Sequence, residues 1–284
     1  MHKRQLDAVV ISDVHLGTYG CHAHELLQYL RSIQPRLLIL NGDIIDIWNF
    51  SKRYFPAAHL EVISEICHLA GSGTRVVYIT GNHDELLRKY SNLTLGNFQI
   101  ADKLVMEING KMCWIFHGDV FDATTKGWAK VLAKLGGKGY DLLILLNSFI
   151  NWTLKLLGRE KMSFSKKIKA GVKKAVAWID NFEQTAAELA IEKRYDYVIC
   201  GHIHQPQQRC ISTDKGSVMY LNSGDWVENL TALEYECNEW KLYHFDESKP
   251  DAMPAITRLR KEKPKPDVVT EEVMLYIHSL ALDY

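Results

Sequence analysis

Five short apolar runs, each closing on a polar residue or a glycine, constrain the fold of this 284-residue chain more than any other feature. They are LDAVVIS (6–12), RLLILNG (36–42), RVVYITGN (75–82), KMCWIFHG (111–118) and YDYVICGH (195–202). Runs that stay apolar instead of alternating suit strands covered on both faces, and β-branched side chains favour an extended backbone. Between the first three runs lie HELLQYLRSI (24–33) and HLEVISEICHLAGS (59–72), whose apolar residues have helical spacing. Strands alternating with helices predict a layered α/β domain. SVMYLNSG, LTALEYEC and WKLYHFD follow with turns between them and predict an antiparallel finish to the sheet. The expected architecture is a mixed sheet, or two packed sheets with helices outside.

Asp, His and Asn residues stand where these strands end: Asp13-Val14-His15, Gly42-Asp43, Gly81-Asn82-His83-Asp84, His117-Gly118 and Gly201-His202-Ile203-His204. In open α/β sheets, sites assemble outside the carboxyl ends of the strands. Five strand ends would therefore bring seven potential ligands together: Asp13, His15, Asp43, Asn82, His117, His202 and His204. Residues i and i+2 of an extended segment point the same way, so Asp13 with His15, and His202 with His204, can each aim two ligands at one place. Imidazole and carboxylate together suit Mn²⁺, Fe²⁺ or Zn²⁺ better than Ca²⁺. Seven ligands are too many for one tetrahedral ion and suit two ions sharing a carboxylate. Each turn alone could be a cap, a loop or a pair of core histidines. Capping does not require five turns to carry complementary ligands in this order.

The ordered set resembles the calcineurin-like metallophosphoesterase superfamily, whose pattern is D-x-H, G-D, G-N-H-D/E, H and G-H-x-H. The resemblance covers about residues 6–246 outside an insertion. It implies a four-layer α/β/β/α sandwich. One ion would be held by Asp13, His15, Asp43 and His204, the other by Asp43, Asn82, His117 and His202, with the Asp43 carboxylate bridging. His83 is similar to the family's non-ligand histidine over the substrate phosphate. Two ions roughly 3.5–4 Å apart can lower the pKa of a shared water for in-line attack. His83 would then stabilise the phosphoryl charge or protonate the leaving oxygen. Asp84 is expected either to orient His83 or to cap the following ELLRKY. The implied cofactor is two divalent ions, Mn²⁺ first, with Fe²⁺ or Zn²⁺ as alternatives. A non-catalytic scaffold of this kind would be expected to lose ligands, and none is missing.

Residues 122–192 read differently. Lys and Arg balance Asp and Glu over the whole chain at 34 each, yet twelve basic residues face only Asp141 and Glu160 between 126 and 174. Read as a helix, LLILLNSFINWTLKLL (142–157) leaves Asn147, Ser148, Asn151 and Lys155 as a narrow polar stripe. So wide an apolar face must meet a core, a lipid or a partner. Lysines beside it favour an anionic headgroup or an anionic membrane surface. This cap position, with SDVHLG, NGDIIDIW and GNHD, resembles the UDP-2,3-diacylglucosamine hydrolases. That resemblance implies cleavage of a lipid-linked pyrophosphate to UMP and 2,3-diacylglucosamine 1-phosphate. His83 departs from it, standing where well-known members carry Arg, which places the chain in a variant or neighbouring branch. The alternative is a phosphatase or phosphodiesterase acting on a soluble, nucleotide or protein phosphate. A nuclease is a third reading, but Trp128, Trp152 and Phe164 are few for base stacking, so no specific nucleic acid is expected.

The expected organisation is a core over 1–121 and 193–246, a helical cap insertion over 122–192, and a Pro- and charge-rich linker with a C-terminal helix over 247–284. Six scattered cysteines without a CxxC pair read as reduced and intracellular. The N-terminal MHKRQLDAVVISD runs straight into a strand and is not expected to be a signal peptide. No uninterrupted apolar stretch is long enough to span a bilayer. The expected location is the cytoplasm, peripheral on the inner membrane face through the cap.

Overall fold

The computed structural model describes residues 3–48, 54–121, 179 and 181–246. The first apolar run forms β1 (Arg4–Ile11), whose buried second half, Ala8 to Ile11, is apolar because each face of the strand there meets a different core. Val9 and Ile11 pack with residues of α1 (Ala23–Ser32) and α2 (Ala57–Gly71), whereas Ala8 and Val10 pack with the strands of a second sheet. The same parity holds in β2 (Ile33–Asn41), where Leu38 and Leu40 face the helices and Ile39 faces the second sheet, and in β3 (Arg75–Ile79). A strand between two dry layers can place no polar side chain without a partner, which explains the unbroken apolar runs.

After β3 come a short 3₁₀ helix (Glu85–Tyr90), then β4 (Thr94–Leu95), β5 (Phe98–Ala101), β6 (Leu104–Ile108) and β7 (Lys111–Ile115). The later strands are β8 (Tyr197–Cys200), β9 (Gln207–Thr213), β10 (Gly216–Asn222), β11 (Thr231–Glu236) and β12 (Glu239–His244). The first sheet has seven strands in the order β12-β11-β1-β2-β3-β5-β4, and the second five in the order β6-β7-β8-β10-β9. The described elements thus stack as helix, sheet, sheet, three of the four layers expected.

One sequence expectation needs correction. The antiparallel finish does not extend one sheet: β10 runs parallel to β8, while the β11–β12 hairpin returns to the first sheet and pairs antiparallel with β1. Both docks bury apolar surface, and local pattern does not say which sheet edge a hairpin will find. The strands β4, β5, β6 and β9 were also unread, being short, or exposed at alternate or most positions. A partly buried network ties the returning hairpin in place. Arg4 donates through both terminal nitrogens to Glu234 at 2.9 Å each, and the Tyr29 hydroxyl donates to the same carboxylate at 2.9 Å.

The chain divides into two compact units, Met1–Gly118 with Ala190–Tyr284, and Asp119–Leu189. Both sheets belong to the first. In the second, Phe121 and Phe182 meet edge to face with centroids 5.5 Å apart. Residues 181–192 are helical. The apolar 142–157 stretch, the basic residues of 126–174 and the expected tail over 247–284 lie outside the described residues. Among the described residues no helix is long and apolar enough to cross a membrane.

Candidate metal centre

The strands β1, β2 and β3 run parallel to one another in the first sheet and β7 runs parallel to β8 in the second, and the turns at their carboxyl ends come together. The turns that leave them are bonded to one another through the backbone. Asp13 N donates to Gly42 O at 3.1 Å, His15 N to Asp43 O at 2.9 Å, and Gly201 N to His117 O at 3.0 Å. These turns are strained. Asp13, His15, Asp43, His202 and His204 all have left-handed φ, between 52° and 69°. Such a conformation costs a non-glycine residue about 1–3 kcal/mol and persists where the surroundings impose it, most often at functional sites. The turns also leave no room at Gly81, where a Cβ would lie 2.6 Å from Asp43 N and 2.9 Å from His117 Cδ2.

Within these turns the chain gathers the predicted side chains into three overlapping groups: Asp13, His15 and His204; His15, Asp43 and His83; and Asp43, His117 and His202. In each group the ligand atoms lie within 4.8 Å of one another. Asp13 Oδ1 is 3.3 Å from His204 Nε2, and Asp43 Oδ2 is 3.2 Å from His117 Nε2. Asn82 lies between Gly81 and His83 with its Oδ1 buried and no hydrogen bond to it among the described residues. The same holds for His15 Nε2 and Asp13 Oδ1.

These atoms fit a divalent cation. Asp13, Asp43, Asp46, Asp84 and Asp225 are all at most 2% exposed, a density of negative charge that a protein interior tolerates only with counter-charge. The imidazoles are fixed so that Nε2 faces inward. His117 Nδ1 donates to the Asn41 carbonyl oxygen at 2.9 Å, which leaves Nε2 as a lone pair opposite the Asp43 carboxylate. Two acceptors at that distance repel unless a cation lies between them. His204 Nδ1 is 3.8 Å from Asp225 Oδ2, and His15 Nδ1 is 3.7 Å from Asp46 Oδ2. Carboxylates and carbonyls behind ligating histidines are the usual means of setting tautomer and ring orientation.

With no cation in place, positive charge on the histidines is what offsets these carboxylates. Burial alone would raise the Asp13 carboxyl, but the charges of His204 and His117 hold it at about 2. Burial would lift Asp43 too, and His117, His15 and His83 keep it well below the usual carboxylate range. His204 moves the opposite way: burial pulls it down, but Asp13, Asp225 and Asp43 outweigh that and carry it to about 9.

His83 and Asp84 separate in space. The His83 ring lies against Asp46, Nδ1 to Oδ2 at 3.1 Å, and its backbone N donates to Asp43 Oδ1 at 2.8 Å. Burial depresses the His83 pKa, while the hydrogen bond to Asp46 and the charges of Asp43 and Asp46 raise it further than burial lowers it. Asp84 does not take the orienting part expected of it. Its oxygens accept from Tyr78 Oη at 2.6 Å, Gly81 N at 2.6 Å and Ile44 N at 3.0 Å. Nor does its side chain cap the 3₁₀ helix that follows. Asp84 instead clamps the Gly81 and Asp43 turns together. Burial and the nearby Asp43 charge push its carboxyl upward against the Tyr78 and Gly81 donors. Asp46, the residue the sequence reading missed, carried a signal: a second acid three residues beyond Asp43 in the same turn.

A family model described as calcineurin-like phosphoesterase matches residues 7–206. Similar curated proteins include a UDP-2,3-diacylglucosamine hydrolase of Ectopseudomonas mendocina (strain ymp), 25% identical over 234 residues, covering 80% of this chain and 93% of that protein. The protein of that name from Nitrosococcus oceani is 26% identical over 246 residues, covering 84% and 94%. Among solved structures, the E. coli phosphoesterase Yfce has a TM-score of 0.40 at 12% identity, covering 84% of this chain and 99% of that one. Because the matching model spans the strands and turns that assemble this cluster, the chain belongs to the calcineurin-like phosphoesterase family and is a metal-dependent hydrolase.

Proposed function

We propose that the chain binds two divalent ions, one among Asp13, His15, Asp43 and His204 and the other among Asp43, Asn82, His117 and His202, and cleaves a lipid-linked pyrophosphate of the UDP-2,3-diacylglucosamine type. The observation that carries the two-ion reading is the position of Asp43. One of its oxygens faces His117, and its carboxylate also groups with His15, which belongs to the set holding Asp13 and His204. Two ions bound there supply Lewis-acid neutralisation of phosphoryl charge and acidification of the attacking water. Mn²⁺ is our first choice, with Fe²⁺ and Zn²⁺ compatible with the same donors.

His83 lies beside this cluster, held through Nδ1 by Asp46. That pairing orients the ring and leaves Nε2 to meet a phosphoryl or leaving-group oxygen. Five turns, three of them strained, braced by backbone bonds and by Asp84, hold the ligands before substrate arrives, so little reorganisation is left for the reaction. The lipid-linked substrate is supported by the hydrolases that share most of this chain's length, and by the basic, apolar character of 126–174, which suits an anionic lipid surface. On this reading the enzyme works in the cytoplasm at the inner membrane face, without nucleic acid.

The test is product analysis with Mn²⁺-loaded protein. Release of UMP and 2,3-diacylglucosamine 1-phosphate from UDP-2,3-diacylglucosamine, at higher kcat/KM than hydrolysis of an aryl phosphate diester, is expected. Fast diester cleavage without UMP release would transfer the proposal to a soluble phosphodiester or phosphomonoester.

A further inference from the structure

The turn after β10, Asn222-Ser223-Gly224-Asp225-Trp226-Val227-Glu228-Asn229, supplies none of the proposed ligands, yet it bonds to two of the ligand-bearing turns. Towards the first, Trp226 N donates to Asp13 O at 3.1 Å, and the Ser12 hydroxyl lies 2.7 Å from the Ser223 hydroxyl and donates to Gly224 O at 3.0 Å. Towards the last, Asn222 Nδ2 donates to Gly201 O at 2.9 Å and Asn229 Nδ2 to His204 O at 3.1 Å. At its centre Asp225 is fully buried. Its Oδ1 accepts from the backbone nitrogens of Val227 at 2.8 Å, Glu228 and Asn229, and its Oδ2 accepts from Asn229 Nδ2 and lies 3.8 Å from His204 Nδ1.

The two bridged turns carry Asp13, His15 and His204, one of the three ligand groups, and also His202 of another; of these ligands it is the His204 ring that Asp225 lies against. Among the described residues, the hydrogen bonds from the 222–229 turn to ligand-bearing turns go to those of Asp13 and His204 and not to Asp43, Asn82 or His117. We infer that Asp225, backed by Asn229, is a positioning residue for one of the two ions only: it aims His204 Nε2 across from Asp13 and so sets affinity at the Asp13–His15–His204 site. A carboxylate behind the distal nitrogen of a ligating imidazole fixes the ring and raises its basicity, and its removal costs about 10–100-fold in metal affinity. This inference rests on the two-ion reading.

The test is Mn²⁺ titration of chelator-stripped protein by calorimetry, in wild type, Asp225→Asn, His204→Ala and the double variant. The isosteric amide keeps a side-chain oxygen for the backbone donors of the turn, so the fold is expected to hold. Asp225→Asn should weaken one of the two binding steps by about 10–100-fold and leave the other within about twofold. In the His204→Ala background the same change should add nothing, because Asp225 acts through that ring. Asn229→Ala, which leaves Asp225 in place, should weaken the same step by a smaller factor. Should Asp225→Asn be recovered unfolded, the Asn229→Ala and His204→Ala cycle decides in its place. Equal weakening of both steps, additivity with His204→Ala, or unchanged binding would overturn the positioning role. If wild-type protein itself binds fewer than two ions, the two-ion reading fails, an outcome distinct from these.

Discussion

Gly81→Ala tests how tightly the ligand turns are built, because the cost can be worked out atom by atom. Gly81 is buried, and a Cβ there would lie 2.6 Å from Asp43 N, closer still to Asp43 Oδ1, and 2.9 Å from His117 Cδ2. Comfortable carbon contacts begin near about 3.5 Å, so the Asp43 turn or the Gly81 turn must move by roughly 1 Å. Relief is not available from a flexible side-chain tip, since backbone and a buried carboxylate are what the methyl meets. Overpacking of this kind costs about 1–3 kcal/mol, which for a domain of this size lowers Tm by roughly 2–12 °C. The same displacement moves Asp43 relative to His117, and a shift of about 1 Å in a catalytic group can cost on the order of 100-fold in rate. Gly71→Ala is the control. It makes the same chemical change at the end of α2, with nothing within 4 Å of the new methyl, and a helical alanine is favoured by roughly 0.5–1 kcal/mol. Melting curves and bound metal per chain for both variants decide the matter. Gly81→Ala should melt lower and hold less metal, and Gly71→Ala should match or exceed wild type in both. If Gly81→Ala melts with wild type and keeps full metal content, the close packing of the Asp43 and Gly81 turns is not what holds the centre together.

Other outcomes follow from the same geometry. His83→Ala should lower kcat by about 100- to 10,000-fold while elemental analysis still finds both ions; loss of the metal would make His83 a ligand instead. Asp43→Ala should abolish binding of both ions, and retention of two per chain by that variant would contradict a bridging carboxylate. In metal-free protein His204 has its pKa raised from 6.5 to about 9, so its stabilising contribution is full below about pH 6.5 and is lost as pH rises through about 9. Asp13, lowered from 3.8 to about 2, contributes above about pH 3.8 and loses that contribution as pH falls towards 2. Melts of stripped protein should therefore decline on both sides of this window, and a flat Tm from about pH 6.5 to about pH 9 would speak against the His204–Asp13 pair. Thiol titration of folded protein should find Cys67, Cys210 and Cys237 reactive, with buried Cys113 and Cys200 silent and Cys21, its thiol pushed up to about 12, slow; rapid modification of all six would contradict the packing of β7 and β8.

The sequence by itself determined the alternation of strands and helices and the turns that carry the chemistry. A strand segment sealed between two layers must be apolar on both faces, so the buried stretches of β1, β2 and β3 announced themselves, and the polar residues just past their ends could have no packing duty in the same layer. The tertiary structure decided what depends on partners distant in the chain. Nothing near His117 says that its Nδ1 faces the carbonyl of Asn41, and nothing near His83 says that Asp46 is its neighbour while Asp84 is turned away to Tyr78 and two backbone nitrogens. Those choices depend on which turns the fold brings side by side, so no local residue pattern records them. The return of β11 and β12 to the edge of β1 is of the same kind. Burial favours either sheet, and the bonds from Arg4 and Tyr29 to Glu234 that tie down the observed arrangement form only once the strands have met.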